Sequence, residues 1–170
     1  MSKNNIIMIG MPGAGKSTVG VVLAKKLGYS FVDADLVIQS REGKLLHELI
    51  AERGVEGFWE LEEAVGESIE AARTVIATGG SAVYGEKAMA HYQTIGTVVY
   101  LSLPLEEIRK RLGDLTERGV TLKEGQDLDS LYAERQPLYE RYADVTVECE
   151  GLSIREIVKK IASLENGIVV

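Results

Sequence analysis

Three glycines, a lysine and two hydroxyl side chains are packed into Gly10-Met11-Pro12-Gly13-Ala14-Gly15-Lys16-Ser17-Thr18. The stretch fits G-x-x-x-x-G-K-[ST], the P-loop pattern, without mismatch. Gly10, Gly13 and Gly15 let the backbone turn tightly and approach a ligand, so that the amides of Gly13, Ala14, Gly15, Lys16, Ser17 and Thr18 can converge on phosphate oxygens. Lys16 adds a full positive charge for the outer phosphates of ATP, and the Ser17 hydroxyl can ligate Mg²⁺.

Further candidates lie beyond the P-loop. Asp33-Ala34-Asp35 places two like charges close together, which needs a reason. One reading has Asp33 hold Mg²⁺ through water while Asp35 accepts or orients the proton of a substrate hydroxyl. The other makes Asp35 a helix N-cap and Asp33 a solvated turn residue. Gly79-Gly80-Ser81 offers bare amides and close backbone approach, or a plain strand-to-helix turn. Arg111, Arg118 and Arg135 are the candidate phosphate or anion contacts, with a surface ion pair as the competing reading of each. Arg118 lies in the polar, glycine-punctuated segment 113–126, placed to act as a lid that excludes water. Arg109 and Arg141 are read as surface residues, and His47 and His91 receive no role. Cys149 is the sole cysteine, which excludes an internal disulfide.

These residues need a scaffold. Asn5–Ile9 is a short apolar run ending at Gly10, which reads as a buried parallel strand. After the loop, Val19, Val22, Leu23 and Leu27 recur at helical spacing, and Gly28 supplies the stop. Strands are expected at 30–33, 74–78, 97–101 and 144–148. Helices are expected at 36–40, 45–52, 58–73, 85–92, 104–112 and 128–142, with Pro137 as a possible kink. Ser153 and Glu156 form a capping box for a last helix, and the tail from Gly167 is expected to fray. The alternation predicts an α/β fold whose parallel sheet is covered on both faces, with ligands bound past the carboxyl ends of its strands.

The chain has 170 residues and a net charge of −7. One domain, 1–170, is expected, with no nucleic-acid or anionic-membrane surface. The N-terminus enters the first strand almost at once, without a charged segment leading into an apolar one, and no stretch is long enough to span a bilayer, so a cytoplasmic enzyme is the expectation.

Taken together, GMPGAGKSTVG at 10–20, Phe31-Val32-Asp33-Ala34-Asp35 with Ile38, Phe58 with Glu62, Ala77-Thr78-Gly79-Gly80 and Arg135-Gln136-Pro137-Leu138-Tyr139 resemble the shikimate kinases, a family of P-loop proteins like the nucleoside monophosphate kinases. The resemblance covers nearly the whole chain. It implies a three-layer α/β/α fold with a five-stranded parallel sheet in the order 2-3-1-4-5, a mobile lid, a substrate-binding helical segment at about 35–62, and Mg²⁺-dependent transfer from ATP to an alcohol. It implies that Lys16 contacts phosphate, Ser17 and Asp33 hold the metal, Asp35 grips substrate hydroxyls, Gly79 and Gly80 line the substrate site, Arg135 pairs with a substrate carboxylate and Arg111 contacts the nucleotide base.

The chain departs from the family pattern at three places. Trp59 stands where the family carries a carboxylate-clamping arginine, Ser81 breaks a glycine triplet, and Thr116-Glu117-Arg118-Gly119-Val120 replaces an Arg-Pro-Leu-Leu lid sequence. Arg118 is the stand-in for the lid arginine. Trp59 either forms an apolar wall of the substrate site or packs on a buried helix face. The resulting expectation is a monomeric kinase that binds ATP or ADP and phosphorylates shikimate. A different small alcohol such as homoserine or gluconate is one alternative acceptor, and a non-catalytic nucleotide-binding module is a second alternative reading.

Overall fold

The structure is a computed structural model that describes residues 3–112 and 120–168. In chain order the strands are β1 (Asn5–Ile9), β2 (Ser30–Asp33), β3 (Thr74–Ala77), β4 (Gly96–Ser102) and β5 (Val145–Glu148). The helices are α1 (Lys16–Leu27), α2 (Ala34–Glu42), α3 (Leu46–Ser68), α4 (Glu86–Ile95), α5 (Leu105–Arg111), α6 (Leu128–Tyr142) and α7 (Ile154–Ile168), with a 3-10 turn at Ala82–Tyr84. All pairings are parallel and the sheet order is β2-β3-β1-β4-β5. This is the P-loop order that the resemblance implied.

β1 is the central strand. Every residue in it is buried, and Ile6, Ile7, Met8 and Ile9 have no exposed surface. A strand buried on both faces can be a continuous apolar run, and its carboxyl end delivers Gly10 to the middle of the sheet edge. Next to it, Thr78 extends β3 by donating its amide and hydroxyl to the Met8 carbonyl, at 3.1 and 2.8 Å. The P-loop and Gly79-Gly80 therefore leave the sheet side by side.

The helices differ from expectation in detail. α1 buries Val19, Gly20, Leu23 and Ala24, whereas Val22 is 40% exposed. The face turned to the core includes Gly20, where a side chain would collide with the Phe31 ring. α2 starts at Ala34, two residues early, because Asp33 caps it. α3 is one helical run broken at Gly54 (φ 75°, ψ 172°), and it stops at Ser68, not Arg73. α6 runs through Pro137 as a single helix. The Ser153–Glu156 box caps α7, with reciprocal hydrogen bonds of 2.7 and 3.2 Å.

Alongside the main core, Ile38, Leu49, Phe58 and Val65 form a second small cluster under α2 and α3. It gives the 35–62 segment its own anchor and carries Asp35, Phe58 and Glu62 to the sheet edge.

Candidate active site

A cavity of about 370 Å³ opens at the carboxyl edge of the sheet, where β1, β3 and α2 deliver their ends. On one side it is lined by Gly13, Gly15, Lys16, Ser17 and Thr18, and on the other by Asp35, Glu62, Gly79, Gly80 and Arg135. The P-loop turns through positive φ at Gly13 (79°) and Gly15 (94°), where a side chain would strain the backbone. Gly15 then caps α1, whose amino end faces the cavity. Ala14 is buried and not on the cavity wall, and its amide donates within the loop to Met11 O at 3.1 Å.

Lys16 is 7% exposed and donates to the carbonyl oxygens of Gly10 (2.7 Å) and Met11 (2.8 Å). Burial, reinforced by Arg135 against the pull of Asp35, brings its ammonium down to about 8. Arg111 rests outside the loop, with Nη1 donating to Gly13 O at 3.4 Å. Arg118 lies outside the described residues, as does 113–119 of the expected lid.

The aspartates divide their roles, and the capping alternative needs correction. Asp33 is the N-cap of α2, accepting from the amides of Asp35 (3.0 Å) and Leu36 (3.4 Å) through Oδ1. Its Oδ2 accepts from Ser17 Oγ at 2.7 Å. Asp35 in the first helical turn is thereby freed to face the cavity. Burial first, then the neighbouring Asp33 charge, raises its carboxyl to about 6, opposed by Lys16.

Ser17 and Asp33 supply hard oxygen donors suited to hydrated Mg²⁺. Among the described residues no cluster of three or more His, Cys, Asp or Glu could hold a metal by itself. Such an ion would complete its coordination with phosphate oxygens and water.

Gly79 is hemmed in on two sides. A methyl group there would sit 2.5 Å from Glu62 Oε2 and 2.7 Å from Asp35 Oδ1. At Gly80 it would strike Pro12 at 2.6 Å, so both glycines serve close approach. Glu62 accepts from Ser81 Oγ at 2.6 Å and is 7% exposed. Burial and the Asp35 charge raise it to about 7. Ser81, the break in the triplet, is thus the hydrogen-bond partner of a buried acid. Glu62 was legible only as part of a family motif, because a lone glutamate on a helix has no spacing signal.

Arg135 is 1% exposed and lines the cavity. Its Nη2 donates to Thr121 Oγ1 (2.8 Å) and Thr121 O (3.2 Å), while Nε has no partner among the described residues. It makes no ion pair there either, in contrast to Arg109, which reaches Asp129 at 2.9 Å. The guanidinium also lies over the Tyr84 ring, 5.4 Å from its centroid, and a buried guanidinium without an ion pair among the described residues suits an anion.

Trp59 does not line the cavity. It stacks on Tyr84 at 4.0 Å between ring centroids, and its Nε1 donates to Thr121 Oγ1 at 3.0 Å. The expected apolar wall is therefore formed by Phe58, Leu46 and Val120, and Thr121 is a site residue that the sequence reading missed.

The arrangement offers an amide and lysine cradle suited to phosphates, with buried carboxyls and a buried guanidinium on the same cavity wall. Comparisons with known proteins agree with that chemistry. The family model described as shikimate kinase matches residues 12–165. A shikimate kinase of Francisella tularensis subsp. holarctica is 38% identical over 163 residues, covering 94% of this chain and 93% of that protein. The structure of shikimate kinase from Acinetobacter baumannii in complex with shikimate matches with a TM-score of 0.82 at 30% identity, covering 98% of this chain and 94% of that one. The Aquifex aeolicus shikimate kinase matches with a TM-score of 0.82 at 31% identity, covering 98% of each chain.

Proposed function

The chain belongs to the shikimate kinase family, and on that premise we propose how its residues divide the ATP-dependent phosphorylation of shikimate. The protein is a small-molecule kinase. The observation that carries the division of labour is the juxtaposition of Lys16, Asp35 and unpaired Arg135 around one cavity.

The amides of Gly13, Gly15, Lys16, Ser17 and Thr18 cradle the ATP phosphates. Lys16 turns from the Gly10 and Met11 carbonyls to the outer phosphates, whose charge restores its full protonation. Ser17 and Asp33 are the residues that would hold Mg²⁺, which when bound neutralises charge between the outer phosphates. Arg111 lies against the nucleotide, and Arg118, carried on a lid of about 113–126, supplies further charge stabilisation.

On the acceptor side, Arg135 receives the shikimate carboxylate, and Gly79 and Gly80 let the ring lie against backbone. Asp35 orients the reacting hydroxyl in line with the γ-phosphorus and takes its proton as the new O–P bond forms and the bond to ADP breaks. A carboxyl near 6 is ionised at neutral pH and close enough to neutrality to accept a proton. The products are ADP and shikimate 3-phosphate. No described helix is long and apolar enough to cross a membrane. We place the single 1–170 domain, with its 35–62 substrate-binding segment, in the cytoplasm as a monomer. A panel of shikimate, homoserine and gluconate with ATP tests the acceptor. ADP release is expected with shikimate alone, and brisk turnover of another acceptor beside inert shikimate overturns it.

A further inference from the structure

Thr121 sits where three elements meet. Its oxygen Oγ1 receives the Trp59 indole N–H from α3 at 3.0 Å and the Arg135 guanidinium from α6 at 2.8 Å. The residue is 2% exposed, yet it lines the cavity beside Arg135. A hydroxyl oxygen has two acceptor lone pairs and one hydrogen. With both acceptor positions taken by N–H donors, the remaining capacity of this hydroxyl is its own O–H. The two bound donors, one of them charged, also polarise that O–H and strengthen it as a donor.

We propose that Thr121 is a specificity-determining residue: its hydroxyl donates to the carboxylate of the acceptor and shares that anion with Arg135. This rests on the reading that Arg135 faces the substrate carboxylate. The two residues then offer complementary groups on the cavity wall, the Thr121 O–H and the positive charge of the Arg135 guanidinium. Trp59 is the positioning residue. Its stack on Tyr84 fixes the indole, and the indole N–H fixes the Thr121 rotor. Lys123, with Nζ 5.3 Å from the Trp59 ring centroid, and Gln126, which donates to Glu134 at 2.9 Å, tie down the chain on the carboxyl side of Thr121. Acid recognition is thereby linked to the segment that carries the base of the expected lid.

The experiment compares kcat and KM for shikimate and for its neutral methyl ester, together with KM for ATP, in Thr121→Val, Thr121→Ser, Trp59→Phe and Arg135→Gln. Thermal unfolding checks that each variant is folded. Thr121→Val keeps shape and removes the hydroxyl. It is expected to raise KM for shikimate roughly ten- to a hundredfold, as loss of a hydrogen bond to a charged group does. KM for ATP stays unchanged and the preference for acid over ester shrinks. Thr121→Ser keeps the preference. Trp59→Phe keeps the ring but loses the N–H, and reduces the preference by a smaller factor.

If Arg135→Gln collapses the preference and Thr121→Val leaves it intact, the role of Thr121 is overturned while the carboxylate reading stands. If Arg135→Gln leaves the preference intact, the carboxylate reading itself fails.

Discussion

Asp35 and Glu62 meet across the backbone of Gly79, so closely that a single methyl group on that glycine would touch both carboxyls. Two acids sharing one buried site cannot both ionise freely, and their proton equilibria belong to the pair. Burial and the Asp35 charge raise Glu62 to about 7, and burial with the Asp33 charge raises Asp35 to about 6.

The pH profile follows from these shifts. kcat/KM for shikimate is expected to fall below about pH 6 as Asp35 protonates. Glu62 is already neutral there, so Glu62→Gln leaves that acid limb in place. A limb that disappears in Glu62→Gln assigns the base to Glu62 instead.

Stability carries the opposite signature. The carboxyl of Glu62 is raised from 4.5 to about 7, so between those values the folded protein holds a proton that the unfolded chain releases. Stability contributed by this group falls as pH rises through that window. Glu62→Gln is therefore expected to gain on the order of 2 kcal/mol over wild type at pH 8, with the gain shrinking toward pH 5. Thermal melts at the two pH values measure it, and an equal offset at both contradicts the assignment.

Lys16 is expected to be dispensable for folding and indispensable for turnover. Among the described residues its ammonium bonds only to loop carbonyls beside the open cavity, at 2.7 and 2.8 Å. Lys16→Ala should cost at least roughly 10²–10³ in kcat, the scale of removing one preorganised electrostatic contact. Circular dichroism and the melting temperature should stay near wild type. A near-normal rate rules out the phosphate role.

Gly79→Ala is expected to raise KM for shikimate more than KM for ATP, because the added methyl drives Asp35 and Glu62 apart on the acceptor side. A destabilisation of about 1–3 kcal/mol should accompany it, typical of overpacking. Steady-state kinetics with each substrate varied in turn separate the two effects.

Much of this was legible in the residues. The P-loop is readable because its chemistry fixes both residue types and spacing, and the apolar run Asn5–Ile9 allows only a buried strand before it. The sheet order came through resemblance, since strand periodicity says nothing about lateral order. The site's acidic and lid-side partners were harder to read. Capping passed from Asp35 to Asp33 because the strand ends one residue before the helix begins, a boundary shorter than sequence signals resolve. Thr121 and Trp59 lie 62 positions apart and meet only in the folded chain. Val22 read as core because helical spacing does not show how far a helix is rotated toward its glycines.

In the proposed reaction Asp35 prepares a shikimate hydroxyl for the γ-phosphoryl group of ATP. Shikimate-dependent ADP release by wild type and Asp35→Asn, with nucleotide affinity measured on both, tests this. Asp35→Asn is expected to lose roughly 10²–10⁴ in kcat with nucleotide affinity preserved, the range for a positioned general base. Undiminished ADP release by Asp35→Asn, or ADP release that does not depend on shikimate, contradicts it.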